Sequence, residues 1–290
     1  MNPTHHGLVT PEWLHEHLDD PSVRVLDATT WMTPQPVGPS QIKHGGADWQ
    51  AGHIPGSQHV CMVSDFSNPD GAFPYTLPTR EQVEAKLSAL GIQRDTHIVI
   101  YTAAQPMVAT RVWWVLWAWG HERVSVLNGG LPLWRAQGRP LTTDALTPTP
   151  THYSAAPTAR GVADADAVRQ AIDHPSTCLI NALSAPQFDG SGGAHYGRPG
   201  RIPSSVNVPA SACFEPETMI WKSDTELRDL FQQQGLELGS QQHAITYCGG
   251  GIAASVAHFA LTHLGHPQVS LYDHSLLQWA NDNRLPMVTG

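Results

Sequence analysis

Residues 245–255 read I-T-Y-C-G-G-G-I-A-A-S. An apolar run stops at Cys248, three glycines follow, and a helical pattern continues through His258 and Phe259 to Leu264. The pattern predicts a strand, a tight turn and a helix, with a single cysteine where the strand ends. Glycines adopt backbone angles closed to other residues, so successive amides of the loop Gly249, Gly250, Gly251, Ile252, Ala253 can turn toward one point. The helix that starts there adds the positive end of its dipole. A thiol so placed is expected to have a lowered pKa and to act as a nucleophile. An inert, buried cysteine ahead of a glycine turn has the same local sequence, so this stretch alone leaves both roles open.

Working outward, the same succession of elements occurs twice. In the first half Thr10-Pro11 opens a helix over 11–18, with Thr as N-cap and Pro at the first helical position. A strand over 23–28, a glycine- and proline-rich passage over 33–78, and a capping box at 79–82 follow. A buried strand at 97–101, a helix over 107–119, a strand at 123–127, a turn at Asn128-Gly129-Gly130 and a short helix around Trp134 complete it. The second half predicts a helix at 164–172, a strand at 177–182, an irregular passage, a capping box at 223–226 and a strand at 244–247 that leads into the cysteine loop. Gly120 and Gly265, Trp134 and Trp279, and Arg139 and Arg284 are each 145 residues apart. A duplicated α/β domain, each copy a parallel sheet flanked by helices, is the economical explanation. The expected boundaries are 7–142 and 161–290, joined by a Thr-, Pro- and Ala-rich linker over 143–160.

Ligands of such sheets bind beyond the carboxyl ends of the strands, which is where Cys248 stands, and this favours the nucleophile. The matching position in the first half is Thr102, followed by A-A-Q-P, with neither thiol nor glycine. The first domain is therefore expected to be silent and to form one wall of the cleft.

Composition limits the partners. Among 290 residues, 16 Lys and Arg stand against 25 Asp and Glu, a net charge of −9, which argues against nucleic acid or an anionic membrane surface. The longest apolar stretch, around 112–119, is too short to span a bilayer, and the leading M-N-P-T-H-H-G has no signal-peptide core. A cytoplasmic location is the expectation. Four widely separated cysteines without a Cys-x-x-Cys suggest neither a disulfide framework nor a thiolate metal site, and the seventeen histidines contain no His-Glu-x-x-His. No metal and no cofactor are expected.

The chain resembles the two-domain (tandem) rhodaneses, the thiosulfate and 3-mercaptopyruvate sulfurtransferases, over nearly its whole length. The segments that carry the resemblance are V-L-D-A-T-T-W (25–31), G-H-I-P-G (52–56), R-V-W-W (111–114), G-H-E-R-V-S-V-L-N-G-G-L-P-L-W (120–134), I-P-S-S-V-N-V-P (202–209) and Y-C-G-G-G-I-A-A-S (247–255). The resemblance implies two rhodanese-like domains, the first inactive and the second catalytic. It also implies a reaction in which Cys248 takes sulfur from a small-molecule donor, holds it as a persulfide and passes it to a thiol or cyanide acceptor. A thioredoxin-like reductant is a further partner it suggests. Trp31 and Met107 fall where this family sets bulky apolar side chains against the persulfide.

The chain also departs from that pattern. The residues after Cys248 lack both the basic side chains of the thiosulfate type and the hydroxyls of the mercaptopyruvate type, although Gly249 leans toward the latter. Where the family's second domain reads Asp-x-Arg…Arg-Phe, this chain has Asn181-Ala182-Leu183…Gln187-Phe188. Arg198 and Arg201 are then the nearest candidates for gripping an anionic donor, with solvated loop charge as the plain alternative. Cysteine phosphatases use a similar amide loop with an arginine six positions after the cysteine; Ala254 stands there, which argues against phosphate chemistry. The lost arginines also leave room for a carrier or binding module that takes sulfur from a protein persulfide.

Overall fold

Residues 7–290 are described by a computed structural model; the first six, which hold most of the M-N-P-T-H-H-G stretch read above, lie outside the described residues. In chain order the first half runs β1 (Leu8–Val9), α1 (Pro11–Glu16), β2 (Val23–Asp27), β3 (Thr30–Thr33), β4 (Gln41–His44), α2 (Gly46–Ala51), β5 (Ser57–His59), α3 (Arg80–Ala89), β6 (His97–Tyr101), α4 (Pro106–Ala118), β7 (Val124–Leu127) and α5 (Gly130–Ala136). The second half runs β8 (Val162–Ala163), α6 (Ala165–Ala171), β9 (Thr177–Asn181), α7 (Ala185–Asp189), β10 (Ser205–Asn207), a 3-10 turn (Ala210–Cys213), α8 (Asp224–Gln232), β11 (His243–Tyr247), α9 (Ala254–His263), β12 (Val269–Tyr272) and α10 (Ser275–Trp279).

Each half forms a five-stranded, all-parallel sheet. The orders are β1-β7-β6-β2-β5 and β8-β12-β11-β9-β10, which are the same order strand for strand. The duplication extends to buried detail. The Tyr101 hydroxyl lies 3.0 Å from Ser57 Oγ and accepts from the Ile54 N–H, while the Tyr247 hydroxyl lies 2.7 Å from Ser205 Oγ and accepts from the Ile202 N–H. Trp134 Nε1 donates to Pro140 O and Trp279 Nε1 to Pro286 O, both at 2.8 Å. The antiparallel β3–β4 hairpin and helix α7 lie in passages that carry no periodicity, and their sequences did not announce them.

The two halves meet along α4 and α9. Helix α4 is buried at every residue except Met107 and Trp117, because one side packs on its own sheet and the other on α9. This explains why its sequence is apolar all round rather than on one stripe. Residues related by the repeat touch each other here: the Thr110 and Ser255 hydroxyls are 2.7 Å apart, and their numbers differ by 145. A local two-fold axis therefore passes between the helices, as it would in an isologous dimer. The connecting passage is not a loose tether. Tyr153 is buried, and the N–H groups of Thr151, Tyr153, Ala155 and Ala156 bond to Ser88 O, Ser88 Oγ, Glu84 and Trp119 O of the first half.

His258 sits in this interface, with its ring against Trp117 (4.8 Å between centroids) and Trp113 (6.0 Å). Burial pulls its pKa down to about 3, and neither ring nitrogen has a hydrogen-bond partner among the described residues. His121, buried beside Tyr153, is likewise lowered to about 4 by burial. Because the folded pKa lies below the unfolded one, these rings stabilise the fold fully above about pH 6.5. They lose that contribution as pH falls toward the folded value. One such group costs about 1.4 kcal/mol per pH unit in that window, so His258 alone accounts for roughly 3 kcal/mol between pH 6.5 and 4.5. Thermal unfolding followed from pH 7.5 to 4.5 is expected to show a steeper acid loss for the native chain than for His258→Leu; parallel curves would remove His258 as the cause.

Candidate active site

Cys248 follows directly on β11, and its backbone is pinned from two sides. Its N–H donates to Ser275 Oγ at 3.1 Å, and its carbonyl accepts from the Leu276 N–H at 3.1 Å. Ser275 in turn donates to Tyr272 O at 2.7 Å and has a left-handed backbone, φ 48°. It stands where the first half has Gly130, φ 51°, so a hydroxyl has been placed under the cysteine at a position that otherwise favours glycine. Sequence reading missed Ser275, although the repeat offset aligns it with Gly130.

Beyond the cysteine, the loop runs to the start of α9, whose first cap, Ala253, offers no side-chain acceptor. The backbone N–H groups of Gly249, Gly250, Gly251, Ile252 and Ala253 find no acceptor among the described residues. Four of these five residues are buried. Buried N–H groups are nearly always paired, so five in succession mark a place made for negative charge. In the first half the first two matching amides are already satisfied, Ala103 N by Thr29 Oγ1 and Ala104 N by Thr102 Oγ1, both at 2.9 Å, and Pro106 has no N–H to offer. The first repeat thus lacks the thiol and has fewer free donors at this position.

Two of the glycines have no substitute. Gly251 has φ 77°, and a Cβ there would come within 2.6 Å of Asp273 O. At Gly249 a Cβ would lie 2.0 Å from the ring of Tyr196. The loop is also held from the other domain. Arg111 of α4 pairs with Asp273 (2.8 Å; side chains 1% and 6% exposed), donates to Gly251 O at 3.3 Å, and donates a short bond to Tyr75 O. Asp273 also accepts from the Leu77 N–H at 2.7 Å.

Cys248 opens onto a cleft of about 470 Å³ between the domains. The first half contributes Met32, Pro34, Tyr75, Gln105 and Met107 to its wall; the second contributes Leu183, Gln187, Tyr196 and Ser211. The segments over 34–40 and 193–196 are tied to each other across the rim, by Gly38 N to His195 O at 2.7 Å and His195 N to Pro36 O at 3.1 Å. Burial, helped by the proximity of Cys248 and Tyr75, raises the Tyr196 phenol to about 12, and burial also raises Tyr75. Both tyrosines were missed in the sequence because each lies in a passage without periodicity.

The placements expected from the sequence divide. Met107 lines the cleft with Cys248, Gly250, Ile252 and Ala253. Trp31 does not: it is 37% exposed, its Nε1 donates to Asp48, and its neighbour Met32 faces the cleft instead. The reason is the alternation of side chains along β3, where a one-residue step changes the face. Arg198 is also absent from the wall; its guanidinium donates to the carbonyls of Trp279, Ala280, Asp282 and Leu285 and closes the end of α10. Arg201 stacks over Phe188 at 4.5 Å and donates to Gly290 O. Both arginines bond to carbonyls of the C-terminal segment, and neither lines the cleft. Among the described residues no cluster of side chains has metal-ligand geometry.

A doubled parallel sheet with one cysteine on an amide-rich loop between the domains is the architecture of a two-domain rhodanese fold. The rhodanese-like domain matches residues 10–137 and again 164–282, so the chain belongs to that family. It is 30% identical to thiosulfate/3-mercaptopyruvate sulfurtransferase 2 of Arabidopsis thaliana, over 98% of this chain and 87% of the relative. It is also 30% identical to the 3-mercaptopyruvate sulfurtransferase of Escherichia coli K12, over 96% of both. The crystal structure of SseA from Escherichia coli, a 3-mercaptopyruvate sulfotransferase, superposes with a TM-score of 0.80 at 28% identity, over 92% of this chain and 98% of that one. The protein is a rhodanese-type sulfurtransferase. Among the described residues no helix is long and apolar enough to cross a membrane.

Proposed function

We propose that this enzyme moves a sulfane sulfur from a small donor, 3-mercaptopyruvate or thiosulfate, to a thiol or cyanide through a persulfide on Cys248. The observation that carries this reading is the run of five unclaimed N–H groups on the loop that begins at that cysteine. With thiosulfate, the Cys248 sulfur attacks the outer sulfur, an S–S bond to the enzyme forms, and sulfite leaves with the electron pair of the broken bond. A thiolate acceptor then attacks the bound outer sulfur, and the Cys248 thiolate departs. The persulfide needs anion stabilisation and little acid–base help, which suits amide donors without an adjacent histidine or carboxylate. All four cysteines are free, as a reducing cytoplasm would keep them.

Because sulfur resides on the enzyme between two half-reactions, steady-state kinetics are expected to be ping-pong. Varying the donor at several acceptor concentrations should give parallel double-reciprocal lines; intersecting lines would mean direct transfer and would overturn the persulfide route. Turnover with both anionic donors is expected to be weak, since Leu183 and Gln187 occupy the positions of the family's arginines. That same loss favours a second reading, a persulfide carrier charged by a protein donor, with a thioredoxin-like reductant among its acceptors.

A further inference from the structure

The wall of the Cys248 cleft contains no Asp, Glu, Lys, Arg or His among the described residues. It is made of thioether, proline, alkyl, hydroxyl, amide and phenol groups. Arg111, the cation that bonds to the loop, is 1% exposed and engaged by Asp273 and by the carbonyls of Tyr75 and Gly251. The phenols of Tyr75 and Tyr196 stay protonated, so they supply neutral hydroxyls. Once a persulfide occupies the amide loop, nothing in the remaining volume compensates an anion that leaves water, and the net charge of −9 repels it at longer range.

We propose that the charge-free cleft selects sulfur compounds whose body, beyond the reacting sulfur, is uncharged and partly apolar. Met32, Met107 and Leu183 take the carbon skeleton, and Gln105, whose side chain makes no hydrogen bond among the described residues, offers it neutral ones. This inference rests on the persulfide reading above and narrows its substrate class. In the transfer step the acceptor thiolate attacks the outer sulfur of Cys248–S–SH. The new RS–S bond forms, the enzyme S–S bond breaks, its electron pair returns to Cys248, and the proton stays on the outer sulfur to give RSSH.

The test uses the full-length protein charged with inorganic polysulfide, its sulfur located by mass spectrometry of the Cys248 peptide. It is then discharged with 3-mercaptopropanol or with 3-mercaptopropionate, which differ chiefly in the carboxylate. Rates per thiolate are normalised to the reaction of each thiol with a free small persulfide. The neutral thiol is expected to have a kcat/KM about tenfold or more higher, the cost of a carboxylate desolvated without a partner. Ser211→Arg places a cation at an exposed wall position whose hydroxyl makes no hydrogen bond among the described residues. It is expected to raise use of 3-mercaptopropionate several-fold and to leave 3-mercaptopropanol nearly unchanged. Equal or preferred use of 3-mercaptopropionate by the native protein overturns the selectivity while the persulfide reading stands. Failure of polysulfide to place sulfur on Cys248 overturns both.

Discussion

Cys248→Ser is expected to reduce sulfur transfer from every donor to the level of the buffer, a loss of roughly 10⁴-fold or more. A hydroxyl occupies nearly the same space, so the Ser275 bond to the backbone N–H and the loop itself should persist. What disappears is the only sulfur in the cleft wall besides the thioethers of Met32 and Met107. The other cysteines do not substitute. Cys61, Cys178 and Cys213 are buried elsewhere, and burial raises the Cys178 thiol to about 11 and the Cys213 thiol to about 12. Initial rates with thiosulfate and with 3-mercaptopyruvate, alongside an unfolding curve that shows the variant intact, check this. Residual transfer within tenfold of the native rate would show that the chemistry lies elsewhere.

Arg111→Met is expected to destabilise the protein by about 3–5 kcal/mol, the usual effect of removing one partner from a buried ion pair. Asp273 would be left buried without its counter-charge, and the carbonyls of Tyr75 and Gly251 would each lose a donor. Since Arg111 belongs to the first half and Gly251 to the cysteine loop, the loss should reach catalysis as well as stability. Denaturant unfolding gives the first effect, and kcat at a temperature where the variant is still folded gives the second. A double variant, Arg111→Met with Asp273→Asn, should recover part of the stability but not the loop anchorage, so kcat should stay low. Full recovery of both would assign Arg111 a purely structural role; a change in stability below about 1 kcal/mol would show that the pair is not desolvated in solution.

Much of this arrangement was legible in the chain. The constant spacing of Gly120, Trp134 and Arg139 from their counterparts gave the duplication, because each repeat must rebuild the same turn and the same tryptophan anchor. The strand–glycine–helix pattern placed Cys248 at the end of β11, where the structure has it. The cleft walls were less legible. Met32 faces the cleft and Trp31 does not, a distinction that depends on the pairing of β3 with β4 in a passage without alternating pattern. Arg198 and Arg201 are the candidates that the sequence offers for gripping an anionic donor. Their side chains instead satisfy carbonyls at the C-terminal end, a demand visible only once α10 and the last residues are in place. Tyr196 is signalled indirectly: Gly249 has to be glycine because that ring lies against it. The free amides of the loop are a difference between repeats that hydrogen bonding alone reveals, since Thr29 and Thr102 fill that role only in the first.

The central claim is that Cys248 itself carries the transferred sulfur. Peptide mass spectrometry of the protein after brief exposure to thiosulfate, 3-mercaptopyruvate or inorganic polysulfide, without acceptor, tests it most directly. The account predicts one additional sulfur atom on the peptide containing Cys248, lost on addition of a thiol, and none on the peptides containing Cys61, Cys178 or Cys213. Sulfur on any of those three, or turnover with Cys248 never modified, would contradict it.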